Sequence, residues 1–457
     1  MIRSGRGSIL RDVHGRRYLD ANSSIWTNIH GHRHPKIDNA LRRQLGKISH
    51  SSALGLANEP ASKLAARLIT AAAPSTGPQK NSPITTPALQ TPRLSKVFYS
   101  DDGSTAMEAA IKLATEYSKR TRGVKKPRFL SLDGAYHGDS VGAFSLGHIP
   151  LFRQSCSSIL FRCDKFMSPY CYRCPFNKAK PQRADARSYR KCNWECIDVV
   201  ERTFARQRKK GQPYSLIALE PSIQGAAGMI AQPQGWLSRV CDIARQHGTL
   251  ILLDEVMTGF GRTTTKQFSD GTSQLFAFQS EGVAPDMVAI AKGMTGGYLP
   301  MAATLVSQPI FDAFLGDYAE YKTFFHGHSY TANQLGSVAA LASLELLQSA
   351  RIRNHRAAME AGLRAALNDL WHHRSVGDIR QVGLIAGIEL VRDHKRRTPF
   401  ELSDQAGIRI CAAMALKGVL TRPIGNVIVI MPPYSTTLSQ INRIIHALRQ
   451  SIREILE

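Results

Sequence analysis

In the stretch LILLDEVMTGFGRT an apolar run ends in two adjacent carboxylates, Asp254 and Glu255. An ionised carboxylate at the end of a buried strand is costly unless a cation or several donors meet it, so a positive charge is expected there. A second apolar run, in DMVAIAKGMTGGYLP, ends in Lys292. An amine partly removed from water has a lowered pKa and is freed as a nucleophile. In YSDDGSTAMEAAIKL a strand gives way to a helix around Gly103 and Ser104, with Thr105 and Glu108 at capping-box spacing. The free N–H groups and dipole of such a helix start suit a phosphate. In DGAYHGDS, Tyr136 and His137 follow the run PRFLSL, and an aromatic ring at the carboxyl end of a strand lies where open α/β sheets keep their ligands.

Each feature alone has an ordinary explanation: a helix cap, a tyrosine packed on its own loop, a solvated strand-end lysine. Together, a phosphate cradle, a stacking ring, a buried carboxylate and a nucleophilic lysine follow successive strand ends, and these are the parts pyridoxal phosphate requires. Lys292 would bond the cofactor covalently, and Asp254 would pair with its protonated pyridine nitrogen. That pyridinium is the cation the strand-end carboxylate needs.

The elements that must position these residues alternate along the chain. Strand candidates KVFYS, PRFLSL, SLIALE, LILLD, MVAIAK and MAATLVS are interspersed with the helical segments STAMEAAIKLATEYSKR and WLSRVCDIARQHG. This pattern predicts an α/β domain with a mostly parallel sheet covered on both faces. Ile9–Asp20 reads as a β-hairpin around His14-Gly15, and the Pro-rich segment Ala73–Leu94 as an exposed loop. From about Gln308 onward helices dominate, then LIAGIELV and NVIVIMPP add strands before a closing helix over LSQINRIIHALRQSIREIL. That is the pattern of a smaller α+β domain.

Composition bounds the function. With 457 residues, 43% of them hydrophobic, the chain can bury a large core. No stretch approaches the roughly twenty apolar residues of a membrane span, and MIRSGRGSIL lacks a signal-peptide core; a cytoplasmic protein is expected. The formal charge of +24 is spread through the sequence with only short clusters such as RQRKK and HKRR, which argues against a nucleic-acid stripe. Cys171 and Cys174 in CYRC and Cys192 and Cys196 in CNWEC have spacings near those of zinc sites. Nothing else in the chain requires that metal, so reduced thiols and no metal are expected.

The acidic pair Asp254-Glu255, the turn TGFGRT and the downstream KGMTGG around Lys292 resemble the class III aminotransferases of pyridoxal-phosphate fold type I, from about Gly7 to the C-terminus. The resemblance implies a homodimer with shared active sites, a large cofactor domain over residues 51–310, and a small domain built from residues 1–50 and 311–457. It also implies that Gly103 and Ser104 hold the phosphate, Tyr136 stacks on the ring, Gln224 lies near the ring hydroxyl, and Ser329 reaches the phosphate in the neighbouring subunit. Trp26, Tyr136, Lys292, Gly327 and Arg422 would line the substrate pocket, Arg422 holding a carboxylate in a two-pronged ion pair. Within the class, NSSIWTNIHGHRHP, EPSIQGAAGM, TFFHGHSYTANQLG and TRPIGNVIVIMPPY resemble the branch that aminates 8-amino-7-oxononanoate in biotin synthesis, with S-adenosylmethionine as donor. Lysine as donor, another class III enzyme for ω-amino acids or diamines, and an aminomutase on the same fold are the alternatives. Ile25 and Ile424 stand where relatives often carry aromatics. The segment TTTKQFSDGTSQLFAFQSEG lengthens the path from Asp254 to Lys292, an insertion a surface loop absorbs cheaply.

Overall fold

The short apolar runs assemble into one seven-stranded sheet in the computed structural model, which describes residues 1–73 and 92–457. In chain order the strands are β1 (Leu94–Ser100), β2 (Phe129–Leu132), β3 (Cys163–Phe166), β4 (Leu216–Leu219), β5 (Leu250–Asp254), β6 (Met287–Ile290) and β7 (Ala302–Ser307). They lie side by side as β1-β7-β6-β5-β4-β2-β3. Four of the pairings are parallel, and β7 alone runs against its neighbours, so the mostly parallel sheet expected from the sequence is the one formed. The Pro-rich segment expected as a loop lies almost wholly outside the described residues.

Every residue of β2, β4, β5 and β6 is buried, as a sheet covered on both faces demands. Side chains alternate between the two faces. Leu216, Ala218, Leu250 and Leu252 pack toward helix α1 (Gly103–Arg122), with Ala106, Met107 and Ala110. Ile217, Leu219, Ile251 and Leu253 face the opposite layer, with Val200, Phe204, Trp236 and Val240. The same alternation aims the residues just beyond the strands: Glu220 continues the Leu216–Ala218 series and Asp254 the Leu250–Leu252 series, both toward α1.

The two ends of the chain share a sheet. The Ile9–Asp20 hairpin forms as expected, and Asp12 Oδ1 accepts the N–H groups of His14 and Arg16 at 2.9 Å each within its turn. An additional strand, Ile2–Arg6, pairs with Ile9–Asp12, and Val419–Leu420 pairs in parallel with Arg17–Asp20. Nearby, Val376–Val382, Ile385–Asp393, Val427–Ile430 and Pro423–Ile424 form an antiparallel sheet. The closing helix Leu438–Leu456 buries Ile441, Ile444, Ile445, Leu448 and Ile452, the i, i+3, i+4 stripe of an amphipathic helix. Among the described residues no helix is long and apolar enough to cross a membrane.

Two local expectations are corrected. The α1 capping box uses Asp102 and Thr105, not Thr105 and Glu108: Asp102 Oδ1 accepts the Thr105 N–H, and Thr105 Oγ1 accepts the Asp102 N–H, both at 2.9 Å. Glu108 instead accepts the Ser140 hydroxyl at 2.7 Å and the N–H groups of Gly142 and Ala143 at 2.6 and 3.1 Å, serving the start of helix Val141–Leu146. The insertion after Thr263 is only half a surface loop. Its exposed turn closes with a Gln267–Ser273 bridge, but Leu275, Phe276 and Phe278 are in the core.

Candidate active site

A cleft of about 960 Å³ opens along the carboxyl ends of the central strands. Its lining includes Trp26, Gly103, Ser104, Tyr136, Asp254, Lys292 and Arg422, so the fold gathers into one place residues that the chain spreads over nearly 400 positions. Gln224, Gly327 and Ser329 are not among the lining residues.

Asp254 ends β5 and is buried. Its Oδ1 accepts the Val256 N–H at 3.0 Å, and its Oδ2 lies 2.8 Å from His137 Nδ1. Burial alone lowers the His137 pKa, but the hydrogen bond and charge of Asp254, with the charge of Glu220, raise it above the usual imidazole value. The carboxylate therefore already holds a protein cation or donor on one side. His137 Nε2 has no hydrogen-bond partner among the described residues.

Lys292 begins a short 3₁₀ turn after β6 with φ +34°, a conformation uncommon for a residue with a side chain and a place where strain collects at functional sites. Burial lowers its pKa to about 8, against the opposing pull of Asp254 and Glu220. At pH 7 that leaves roughly one amine in ten unprotonated, compared with fewer than about one in a thousand for a free lysine. Its Nζ stands 4.5 Å from the centroid of the Trp26 ring, whose Nε1 is held by Asn22 Oδ1 at 2.9 Å.

At the other end of the cleft α1 presents Gly103 and Ser104 in its first turn. A Cβ on Gly103 would fall 2.8 Å from Val256 Cγ1, and one on Gly138, at φ +123°, only 2.1 Å from Ser104 Oγ. Both glycines are what the close approach of this turn to its neighbours requires. Tyr136 gives its hydroxyl to Asp139 Oδ2 at 2.8 Å, fixing the ring over the cleft. Arg422 leads into Pro423–Ile424 at the edge of the small sheet, and its guanidinium makes no hydrogen bond or ion pair among the described residues.

Glu255, the second carboxylate of the pair, turns away from the cleft. It accepts the Thr258 hydroxyl at 2.5 Å and the Phe278 N–H at 3.0 Å, so it ties the TGFGRT turn to the insertion that follows, and burial pushes its pKa up to about 7. Gln224, expected near the ring hydroxyl, is buried next to the lining residues Gly225 and Ala226; its Oε1 accepts the Ser168 hydroxyl at 2.7 Å and its Nε2 donates to Asp133 O at 2.9 Å, and Met257 is also in the lining. Gly327 and Ser329 are exposed in the segment that leads to helix Gln334–Gln348. The Ser329 carbonyl accepts from His50 Nε2 at 2.9 Å, and His328 pairs with Asp101 at 3.0 Å, beside the start of α1.

Neither His137 nor Glu220 is given a role by motif or spacing. Glu220 carried a usable signal, since it ends the apolar run LIAL as Asp254 ends LILL. The four clustered cysteines are free thiols. Burial, with the neighbouring thiols adding to it, pushes Cys171 up to about 12 and Cys196 up to about 11, and Arg190 donates to Cys192 Sγ at 2.9 Å. Among the described residues no group of three or more His, Cys, Asp or Glu is arranged to hold a metal ion.

Chemically, the cleft offers an amine that can lose its proton near neutrality, a fixed carboxylate, an aromatic wall, a helix N-terminus and an uncommitted guanidinium. The class III aminotransferase family model matches residues 1–452. The adenosylmethionine-8-amino-7-oxononanoate aminotransferase of Nitratidesulfovibrio vulgaris is 44% identical over 462 residues, covering 100% of this chain and 78% of that protein. The protein of the same name from Geobacter sulfurreducens is 41% identical over 455 residues, covering 100% and 92%. Among solved structures, the adenosylmethionine-8-amino-7-oxononanoate aminotransferase of Methanocaldococcus jannaschii superposes with a TM-score of 0.85 at 34% identity, covering 100% of this chain and 93% of that one. A pyridoxal-phosphate-bound amine transaminase from an uncultivated Pseudomonas species gives 0.86 at 29% identity, covering 100% and 95%.

Proposed function

Because the chain belongs to the class III aminotransferases, enzymes that use pyridoxal phosphate, we propose that it transfers an amino group from S-adenosylmethionine to the ketone of 8-amino-7-oxononanoate, giving 7,8-diaminononanoate for biotin synthesis in the cytoplasm. The residues present fit that cofactor. An α1 N-terminus with glycine-tight surroundings suits a phosphate, Tyr136 offers a ring face, Asp254 a carboxylate for a pyridinium, and Lys292 an amine of lowered pKa. Gly103, Ser104, Tyr136, Asp254 and Lys292 would hold it. Bound there, it supplies an electron sink for the pair released when a substrate Cα–H bond breaks.

The chain's own groups do the rest. Lys292, unprotonated in part at neutral pH, accepts the Cα proton from one side of the cleft and returns it, the general-base role its lowered pKa suits. Asp254, held by His137 and the Val256 N–H, would supply the fixed negative charge that a pyridinium nitrogen requires. Trp26 and Tyr136 close the walls and limit water. Gly327 and Ser329 serve the partner's site in a homodimer, a role supported by their exposure outside this chain's own cleft and by the exposed Leu54, Leu56, Tyr318, Phe325 and Tyr330 on neighbouring segments.

The observation that carries the acceptor assignment is Arg422: an unpaired guanidinium lining the same cleft as Lys292, ready for the carboxylate of a long-chain keto acid. An ionic hydrogen bond of this kind contributes about 1.5–3 kcal/mol. Arg422→Ala is therefore expected to raise KM for 8-amino-7-oxononanoate by roughly 10- to 100-fold, with little change in the donor half-reaction. Steady-state kinetics with each substrate varied in turn would show it, and an unchanged acceptor KM would remove Arg422 from the carboxylate site.

The donor is tested separately. Stopped-flow mixing of the cofactor-loaded enzyme with S-adenosylmethionine or lysine should show faster and tighter conversion with S-adenosylmethionine. The lysine reading draws on Ile25 and Ile424, which line the cleft and give an adenine less aromatic surface. Conversion by lysine alone would overturn the donor assignment and leave the acceptor, cofactor and Lys292 assignments standing.

A further inference from the structure

We propose that Glu220 is a positioning residue that acts through Lys292: its carboxylate, set beside Asp254 on the same side of the sheet, shares with Asp254 the task of holding the proton on the buried amine. The proposal rests on Lys292 being the reactive amine of the cleft. Strands β4 and β5 are parallel neighbours in the register Leu250–Leu216 through Leu253–Leu219, so the next step places Glu220 beside Asp254. Both continue the series that points toward α1, both are buried, and both line the cleft with Lys292.

The two carboxylates are held differently. Asp254 is committed to His137. Glu220 accepts only backbone N–H groups, from Tyr136 at 3.2 Å to Oε1 and from Gly225 at 2.7 Å to Oε2, and no lysine, arginine or histidine forms an ion pair with it among the described residues. Its seat is built for it. A Cβ on Gly225 would lie 2.7 Å from Met257 Sδ and 3.6 Å from Glu220 Oε2, so the absence of a side chain there lets the backbone approach.

The titratable groups around Glu220 are His137, Asp254, Lys292 and, through its backbone N–H, Tyr136. Burial first, then the like charge of Asp254, pushes the Glu220 pKa up to about 7, opposed by His137 and the two N–H groups. Conversely, Glu220 and Asp254 both hold the Lys292 pKa above where burial would leave it. Removing the Glu220 charge destabilises the protonated amine, so the Lys292 pKa must fall.

Competitive labelling reads this directly. Cofactor-free protein is treated with limiting acetic anhydride across the pH range, and acetylation of Lys292 is quantified by peptide mass mapping. The wild-type midpoint is expected at about 8, falling by about one unit in Glu220→Gln, the lower end of what a single opposite charge at close range does. Glu220→Asp, which keeps the charge but withdraws it by one methylene, should fall between the two. A loss of structure alone would lower amino transfer at every pH without producing this order. An unchanged midpoint in whichever variant folds overturns the proposal. Because the labelling uses neither substrate, failure of the donor or acceptor assignment leaves this result untouched.

Discussion

Lys292→Ala is expected to abolish amino transfer, with kcat reduced by at least about 10⁴-fold, the upper range for a positioned general base. Two losses coincide. The amine of lowered pKa is the group proposed to take the Cα proton, and it is also the proposed point of covalent attachment for the cofactor. The substitution itself should be tolerated by the fold, since alanine meets the same φ of +34° that lysine accepts and the side chain lost is one that lines an open cleft. Pyridoxal phosphate should still be retained noncovalently by Gly103, Ser104, Tyr136 and Asp254. Borohydride treatment followed by peptide mapping separates the possibilities: in the wild type the cofactor is fixed on the peptide carrying Lys292, and in the variant on none. Label on a different lysine would overturn the assignment at the centre of the site.

Much of this site was legible because of where apolar runs stop. LILLD and MVAIAK each end in a charged residue or reach one within a step, and the parallel-sheet pattern implied that such ends lie along one edge. The closing helix Leu438–Leu456 was equally plain from its apolar spacing. What stayed hidden depends on which strands become neighbours. Nothing local in DGAYHGDS indicates that His137 will meet Asp254, 117 positions away. Nor does LIALE reveal that Glu220 will stand beside Asp254, because that follows from the pairing of β4 with β5. Glu108 fitted a capping box by spacing alone, yet the helix start moved back to Asp102, leaving Glu108 to serve a different helix. The partners of Gln224 were hidden for a related reason. The sequence gives no hint that Ser168 and Asp133 will arrive to take its amide.

Asp254→Asn keeps the shape of the site and removes its fixed charge, which makes it the sharpest test of what the strand-end carboxylate is for. An asparagine can still accept the Val256 N–H through its oxygen, and its amide can donate to His137 Nδ1 once that imidazole is neutral. Neutrality of His137 is the expected consequence. The hydrogen bond and charge of Asp254 are the main causes that raise its pKa against burial, and without that charge burial prevails. The variant should therefore fold and bind cofactor, as absorbance of the purified protein would report. Catalysis should not survive as well. Leaving a buried cation without its partner costs about 3–5 kcal/mol, so if the negative charge acts mainly as the Cα–H bond breaks, kcat should fall by roughly 10²- to 10⁴-fold, with KM for the donor changing far less. The contrast with Glu220→Gln lies in the rate: both changes remove a charge that raises the Lys292 pKa and so move its midpoint downward, but only Asp254→Asn is expected to lower the rate across the pH range. If Asp254→Asn turns over like the wild type, then His137 is the whole reason a carboxylate ends β5, and the partner of a pyridinium must come from elsewhere in the cleft.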